Sequence, residues 1–399
     1  MRNFLIHTQY YPPEIGAPQA RLSELASGLK KHGFDVRVLT AMPNYPRGRL
    51  FQGYKGTYKR EVIDGIPIIR TYIYPTKKLG FFPRLLNYFS FVFSSLILGI
   101  WGLGNVDYIL TESPPLFLGI SGFFLSRIKC AKWIFNVSDL WPESAVHLGV
   151  LDQGMFLKLA EWLEAFCYRH AWLVTGQSKT ILVSIEDRFP EVQTYHLSNG
   201  VNCQNFSGEA GEKKFRKKVA TENEIIILYG GLHGLAQGLD QVLYAAHEMP
   251  KGAKFVLIGD GPEKEDLIKL ADKLDLSNIL FLDPVPKEKM PGILASVDIC
   301  LVPLKKTLPG AVPSKLYEAM AASKPVVLIA EGEPAQIVRK AKCGFVVKPG
   351  DIDGIVDALR LLADNSDLRK KMGISGRQEV IKNYCRQDIV DRFAEFLLS

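Results

Sequence analysis

The sequence predicts an α/β protein of two doubly wound, Rossmann-like parallel-sheet domains facing a cleft. Three observations predict it. Short apolar runs without strict alternation, as expected of strands covered on both faces, alternate with helical periodicity. The alternation occurs as two separate series, and turn residues Ser198-Asn199-Gly200-Val201-Asn202 part them. With 399 residues and 47% apolar content, the chain can bury two sizeable cores, which excludes a disordered or disulfide-scaffold protein.

In order, the first series places strands over 3–8, 35–40, 66–74, 107–111, 132–137, 172–176 and 193–197. The second places them over 224–229, 253–258, 279–281, 298–302, 325–329 and 344–347. Helices fill the gaps, for example 19–31, 154–169, 239–247, 263–273 and 352–363. The expected domains are 1–198 and 199–375, followed by one amphipathic helix over 376–399 that is long enough to cross back to the first domain. Six cysteines lie far apart with no C-x-x-C pair, so reduced thiols of a cytosolic protein are expected rather than a zinc site. The N-terminal apolar stretch is too short for a signal-peptide core.

Charge is uneven. Residues 1–198 carry 21 Lys/Arg against 15 Asp/Glu, whereas 199–399 carry 28 against 27. Within 47–84 alone stand Arg47, Arg49, Lys55, Lys59, Arg60, Arg70, Lys77, Lys78 and Arg84, with only Glu61 and Asp64 as acids. Residues 85–104 then carry no charge at all. Such a stretch can span a bilayer, be buried in a large domain, or lie in a membrane interface with basic residues at its edge. The expectation is a soluble protein docking on the cytoplasmic face of the plasma membrane through basic 47–84 and apolar 85–104. No nucleic-acid recognition signature accompanies the basic run, so nucleic acid is not expected as a partner.

The chemistry concentrates in loops that follow strands. Tyr11-Pro12-Pro13-Glu14-Ile15-Gly16-Ala17-Pro18 opens a helix with Arg21 one turn inside, a place that favours anions. Gly230-Gly231-Leu232-His233-Gly234 through Gly238 permits close approach of a diphosphate, without the lysine of a Walker loop. Ile258-Gly259-Asp260-Gly261-Pro262 follows the next strand, where Asp260 also reads as a turn residue. In Pro313-Ser314-Lys315-Leu316-Tyr317-Glu318, proline suits a helix start and a lysine there opposes the helix dipole, which an anionic ligand would explain. Asp351-Ile352-Asp353 resembles a metal-binding D-x-D, but before an apolar-periodic helix it reads as an N-cap with a first-turn acid, so no metal or other cofactor is expected. His7 and His196 read as strand residues.

Taken in order with their spacing, Y-P-P-E-I-G-A-P, S-N-G-V-N, G-G-L-H-G-L-A-Q-G-L, I-G-D-G-P and P-S-K-L-Y-E-A-M-A-A-S-K-P-V-V resemble glycosyltransferase family 4, retaining nucleotide-sugar enzymes of the GT-B fold. Asp139-Leu140-Trp141-Pro142-Glu143-Ser144 resembles the O-antigen and capsule branch, and within it the N-acetyl-L-fucosamine transferases. The resemblance implies a nucleotide-sugar donor, expected to be a UDP-sugar, and a polyprenyl-diphosphate-linked saccharide acceptor. It implies that Gly16 and Ala17 approach donor phosphate or acceptor, that Gly231 faces the diphosphate, and that Gly259, Asp260 and Gly261 line the base pocket. Lys315 and the Leu316 amide would hold phosphate, and Glu318 would bind ribose. Lys315 and Arg21 would stabilise the diphosphate as it leaves, and Asp139 would orient donor sugar or acceptor hydroxyl.

Four features depart from that pattern. The glycine pair is Gly16-Ala17, and the usual basic pair falls on Gly231 and Gln237. The first acid of the E-x7-E pair is Gly310, and the histidine before the first-domain acid is Ser138. Two other readings stay open: a UDP-sugar 2-epimerase, and an inactive nucleotide-sugar-binding subunit of a membrane assembly complex.

Overall fold

The computed structural model describes residues 1–46, 48–77, 80–147, 154–206, 213–249, 251–306 and 308–399. Arg47 and Lys78 of the basic run therefore lie outside the described residues. The chain divides into two compact units, Met1–Asn199 with Gln387–Ser399, and Gly200–Arg386.

The first unit is built on β1 (Asn3–His7), β2 (Asp35–Ala41), β3 (Tyr58–Ile63), β4 (Ile66–Thr71), β5 (Tyr108–Ser113), β6 (Lys132–Val137), β7 (Leu173–Gly176) and β8 (Thr194–His196). Their order is β3-β4-β2-β1-β5-β6-β7-β8, and only the β3–β4 pair is antiparallel. Helices α1 (Ala17–Lys31), α2 (Phe81–Gly102), α3 (Leu118–Ile128), α4 (Glu143–His147), α5 (Met155–His170) and α6 (Lys179–Arg188) alternate with the strands. One hydrophobic core lies on each side of the sheet. The central strands are apolar until their carboxyl ends, where buried residues turn polar: Thr8 and Gln9 after β1, Glu112 and Ser113 in β5, Asn136 in β6. In open α/β sheets ligands gather at that end.

Strand β3 is an element the sequence reading passed over. Its Tyr-Lys-Arg-Glu-Val-Ile run was counted only as charge. It closes a hairpin with β4 through Asp64-Gly65, both at positive φ (50° and 73°), with Ile63 opposite Ile66. Asp-Gly is the dipeptide that a two-residue turn of this hand demands. Pairing also disposes of Arg70. Its side chain is fully buried, with Nε 2.5 Å from Glu61 Oε1 and Nη1 3.1 Å from the Ala41 carbonyl, so it belongs to the interior and not to a basic surface. Lys59 also reaches Glu61, at 3.2 Å. Partial burial raises the Glu61 carboxyl, but Arg70 and Lys59 outweigh it and hold the group below its ordinary range.

The second unit has six parallel strands, β9 (Ile225–Gly230), β10 (Ala253–Ile258), β11 (Ile279–Leu282), β12 (Ile299–Pro303), β13 (Val326–Ile329) and β14 (Gly344–Val347), in the order β11-β10-β9-β12-β13-β14. Around them run α7 (Lys213–Val219), α8 (Asp240–His247), α9 (Lys264–Lys273), α10 (Met290–Ala295), α11 (Ser314–Ala321), α12 (Glu333–Ala341), α13 (Ile352–Asp364) and α14 (Ser366–Asn383). Again a core lies on each side of the sheet.

The single helix expected over 376–399 is two helices. α14 ends at Asn383, and α15 (Arg386–Leu398) begins after Tyr384-Cys385. The break has a partner: the Val201 amide donates to the Tyr384 carbonyl (2.9 Å) and the Arg386 amide to the Val201 carbonyl (2.9 Å). A continuous helix would spend those groups internally. Beyond the break, α15 packs on the first unit's sheet. Phe393, Ala394 and Leu397 are buried there, Tyr195 meets Phe396 at 4.8 Å, and Tyr108 Oη donates to the Leu397 carbonyl at 2.9 Å.

Gly28 marks where α1 meets α15, because a Cβ there would lie 2.5 Å from Val390 Cγ1. Helix propensity alone favours alanine over glycine by about 1 kcal/mol, but the buried Val390 has no room to retreat. We expect Gly28→Val to lower stability by about 1–3 kcal/mol, read as a fall in denaturant midpoint.

Candidate functional site

In the second unit the loops after β9 and β10 continue the parallel pairing past the strand ends. The Gly231 amide donates to the Ile258 carbonyl (2.8 Å), the His233 amide to Asp260 (2.9 Å) and the Glu263 amide to His233 (3.0 Å). Gly259 and Gly261 stand at φ 153° and 159°, and a Cβ at either would overlap a carbonyl oxygen, that of Gly231 or of His233. Both glycines are thus required by loop-on-loop packing, before any ligand is considered. Asp260 is exposed and accepts from the Gly261 amide at 2.9 Å, a turn role.

Gly231 has a second neighbour. A Cβ on it would lie 2.8 Å from Lys315 Cε, so the lysine side chain runs across this glycine. Lys315 Nζ stands 3.9 Å from Glu318 Oε2, with the lysine side chain 38% exposed. The structure therefore brings Gly231, Lys315 and Glu318 together, and Glu318 already answers part of the dipole cost of a lysine at a helix start. α11 begins after Pro313 with no side-chain cap. The Leu316 amide is not free for phosphate as expected, because it donates to the Pro313 carbonyl at 3.0 Å. Gly310, which replaces the family's first acid, sits at φ 75°, a left-handed position that a glutamate side chain would strain.

Sequence reasoning gave little weight to His233. It is fully buried between the rings of Tyr229 (6.0 Å) and Phe281 (6.2 Å), and neither ring nitrogen has a partner. Burial lowers its pKa, and the Lys264 charge lowers it further against the opposing pull of Asp260. Gln237 Oε1, at the other unsatisfied family position, is likewise buried and unpartnered.

In the first unit the structure gives Arg21 another role. Its side chain is buried and donates to Glu112, to Asn199, to Ser138 Oγ (2.8 Å) and to Gln177 Oε1 (3.3 Å). Asn136 and Ser138 also donate to Glu112. A guanidinium committed to a buried carboxylate is not a spare cation for a leaving diphosphate; Arg21 is a positioning residue that ties α1 to the carboxyl ends of β5 and β6. Gly16 caps α1 with extended backbone, Ala17 is exposed beside it, and a Cβ on Gly16 would meet only the mobile end of Gln19.

Asp139, just past β6, behaves differently. Burial raises its pKa, the Ser144 side chain and the Leu140 amide lower it in part, and nearby Glu143 raises it further. Its Oδ1 is buried without a partner. Gln9, which the sequence did not single out, matches it. Asn87 Nδ2 donates to the Tyr74 carbonyl (2.7 Å), so Asn87 Oδ1 must receive Gln9 Nε2 (2.9 Å), and Gln9 Oε1 is left buried and bare. Both of these bare groups are acceptors, which a hydroxyl donor would complete, whereas Arg21 Nε, also buried and unpartnered, is a donor. Glu14 is structural, accepting from the Asn44 and Tyr45 amides at 2.8 Å each. Among the described residues no group of three His, Cys, Asp or Glu is placed to hold a metal, and Asp351 caps α13 by accepting from the Gly354 amide at 3.0 Å.

Comparison with known proteins decides the class. A family model for glycosyl transferases group 1 matches residues 211–379, and one for a glycosyl transferase 4-like domain matches 16–197. The chain is a glycosyltransferase. Among its relatives is the "Putative colanic acid biosynthesis glycosyl transferase WcaI" of Escherichia coli K12, 27% identical over 371 residues, covering 89% of this chain and 91% of that one. Solved structures place the fold of this glycosyltransferase as GT-B. The sucrose-phosphate synthase of Thermosynechococcus elongatus superposes with a TM-score of 0.78 at 17% identity, over 100% of this chain and 98% of that one. Anabaena HepE in complex with UDP and glucose does so with 0.75 at 17%, over 100% and 99%.

Two outcomes follow for the first-unit residues. Arg21→Ala strands a buried carboxylate and should cost about 3–5 kcal/mol of stability in chemical denaturation, a loss that a solvent-facing cation would not show. Asp139 has a folded pKa above its ordinary value, so its charge destabilises the folded state once pH exceeds the ordinary carboxylate range. Asp139→Asn should therefore raise the melting temperature at neutral pH, and the gain should shrink as pH falls toward that range.

Proposed function

We propose that this glycosyltransferase moves a sugar, with retention, from a UDP-sugar held by the second unit to a polyprenyl-diphosphate-linked saccharide, in the assembly of a bacterial surface polysaccharide at the cytoplasmic face of the membrane. The observation that carries the reading is Lys315 lying across Gly231 beside Glu318 at the start of α11. A cation over bare backbone suits a diphosphate, and a carboxylate one turn on suits the two hydroxyls of a ribose. The UDP bound by HepE and the colanic acid role in the name of WcaI support the donor class and the pathway class. The narrower reading as an N-acetyl-L-fucosamine transferase rests on the Asp139–Ser144 motif.

Charge develops on the leaving diphosphate as its bond to the sugar breaks, and a preorganised cation stabilises that charge most where it forms. Lys315 is the cation so placed. With the sugar becoming oxocarbenium-like, the departing phosphate oxygen accepts the proton of the attacking hydroxyl, so the protein need supply no separate base. Asp139 and Gln9 offer the bare acceptors that would receive hydroxyls of the acceptor sugar. The D-x-D acid Asp351 is spent as a helix cap, and turnover is expected to be unchanged by EDTA.

A panel of nucleotide sugars incubated with polyprenyl-diphosphate-linked saccharide, read by mass spectrometry, tests the reading. Extension of the acceptor by one sugar is expected; an epimerised donor, or no product from any pair, would overturn it. Lys315→Ala should weaken UDP binding about 10- to 100-fold, the worth of one charge-assisted hydrogen bond, with the fold intact by circular dichroism.

A further inference from the structure

Three neighbouring helices of the first unit turn apolar side chains outward. α2, α3 and α5 cover the same side of the eight-stranded sheet and share its core. They touch one another: a Cβ on Gly99 of α2 would lie 2.9 Å from Leu125 of α3, and Phe123 of α3 meets Phe166 of α5 at 4.9 Å. Each buries its sheet-facing side, so what it exposes faces away from the sheet.

Those exposed sides are largely apolar. Only 22% of the most apolar stretch of α2 is buried, and Phe93, Ile97 and Trp101 stand open, Trp101 at 85%. α3 adds Phe124 and Ile128 beside them, and α5 adds Leu159 and Trp162. α2 and α3 contain no Asp or Glu, while Arg84, Arg127 and Lys158 are exposed on the three helices, with Glu161 as the exposed acid. Monomeric soluble proteins rarely leave a patch of this breadth uncovered.

Charge decides between the possible occupants. A second copy docked face to face would oppose one basic rim to another, whereas an anionic leaflet complements the rim and takes indole and phenyl side chains at headgroup depth. The sheet-side anchoring of α2, with Phe91 and Val92 buried and Ser95 Oγ 3.1 Å from His7 Nε2, keeps the helix from leaving the domain to span a bilayer. We propose that the α2–α3–α5 face lies in the surface of an anionic bilayer as one unit, with α5 an equal partner of α2. The proposal deepens the reading of a lipid-linked acceptor and rests on it for its purpose, since a face seated in the leaflet keeps the first unit beside its substrate.

The test needs neither donor nor acceptor. The full-length protein is sedimented with vesicles of phosphatidylcholine, with and without phosphatidylglycerol, at low and high salt. Binding that requires phosphatidylglycerol and weakens with salt is expected. The double variant Leu159→Glu/Trp162→Glu touches only α5 and leaves the α2 stripe whole; it should reduce vesicle binding at least about tenfold with an unchanged melting temperature. Undiminished binding by that variant would confine docking to α2 and overturn the three-helix face. A lipid-free dimer that the variant dissociates, with no vesicle binding by the parent protein, would assign the face to a second copy. Failure of the transfer assay leaves a positive vesicle result standing. Transfer to a detergent-solubilised acceptor without vesicle binding would remove only the surface.

Discussion

The second unit's site depends on two places where no side chain fits. Gly259 and Gly261 let the loop after β10 lie flat against the loop after β9, carbonyl against α-carbon. That contact sets the height of Gly231, and Gly231 sets the track along which Lys315 runs toward Glu318. The lysine runs over bare backbone at Gly231 and faces Glu318, so this arrangement exists with no ligand present. The same packing encloses His233, whose unpaired ring nitrogens sit at the join between the two loops. Any group that enters beside it meets a neutral imidazole, since burial disfavours its charged form.

The first unit solves an electrostatic problem in the opposite way. Its most buried positive charges, Arg21 and Arg70, are each consumed by a carboxylate inside the unit, Glu112 and Glu61. Both have structural partners: the Arg21 Nη groups join α1 to strand ends, and Arg70 ties the β3–β4 hairpin to the Ala41 and Pro12 carbonyls. Gln9 Oε1 and Asp139 Oδ1, at the carboxyl ends of β1 and β6, remain buried without a partner, and so do His7 Nδ1 and Arg21 Nε.

Much of this was legible in the sequence, for identifiable reasons. Buried parallel strands announce themselves as short apolar runs, and glycine loops between strand and helix announce places where backbone must come close. Lys315 and Glu318 were readable because proline fixes the helix start and the spacing fixes the turn. β3 was not, because an edge strand with three successive charged residues, Lys59-Arg60-Glu61, looks like a solvated run until Asp64-Gly65 is given its turn. The fate of Arg21 was unreadable for a deeper reason. Its partner Glu112 lies 91 residues away in a strand whose polar end resembles any other, and no local pattern distinguishes a paired arginine from one awaiting a ligand. The break at Tyr384-Cys385 is of the same kind, since Val201, which supplies its hydrogen bonds, is remote in sequence.

The same limit applies to α2, whose composition admits burial, spanning and interfacial placement alike. Periodicity discriminates once the sheet is present. Phe91, Val92, Ser95 and Gly99 form the stripe that the sheet needs, and the apolar residues left over at 93, 97 and 101 are in excess of what the fold requires. An apolar side chain that no core uses weakens solubility, so its presence calls for an occupant. α5 repeats the excess at Leu159 and Trp162, although its own sheet side is already complete with Leu163, Cys167 and Tyr168. Two helices separated by more than fifty residues, each carrying a surplus stripe on the same side of one sheet, are more economically explained by a shared planar partner than by two separate ones.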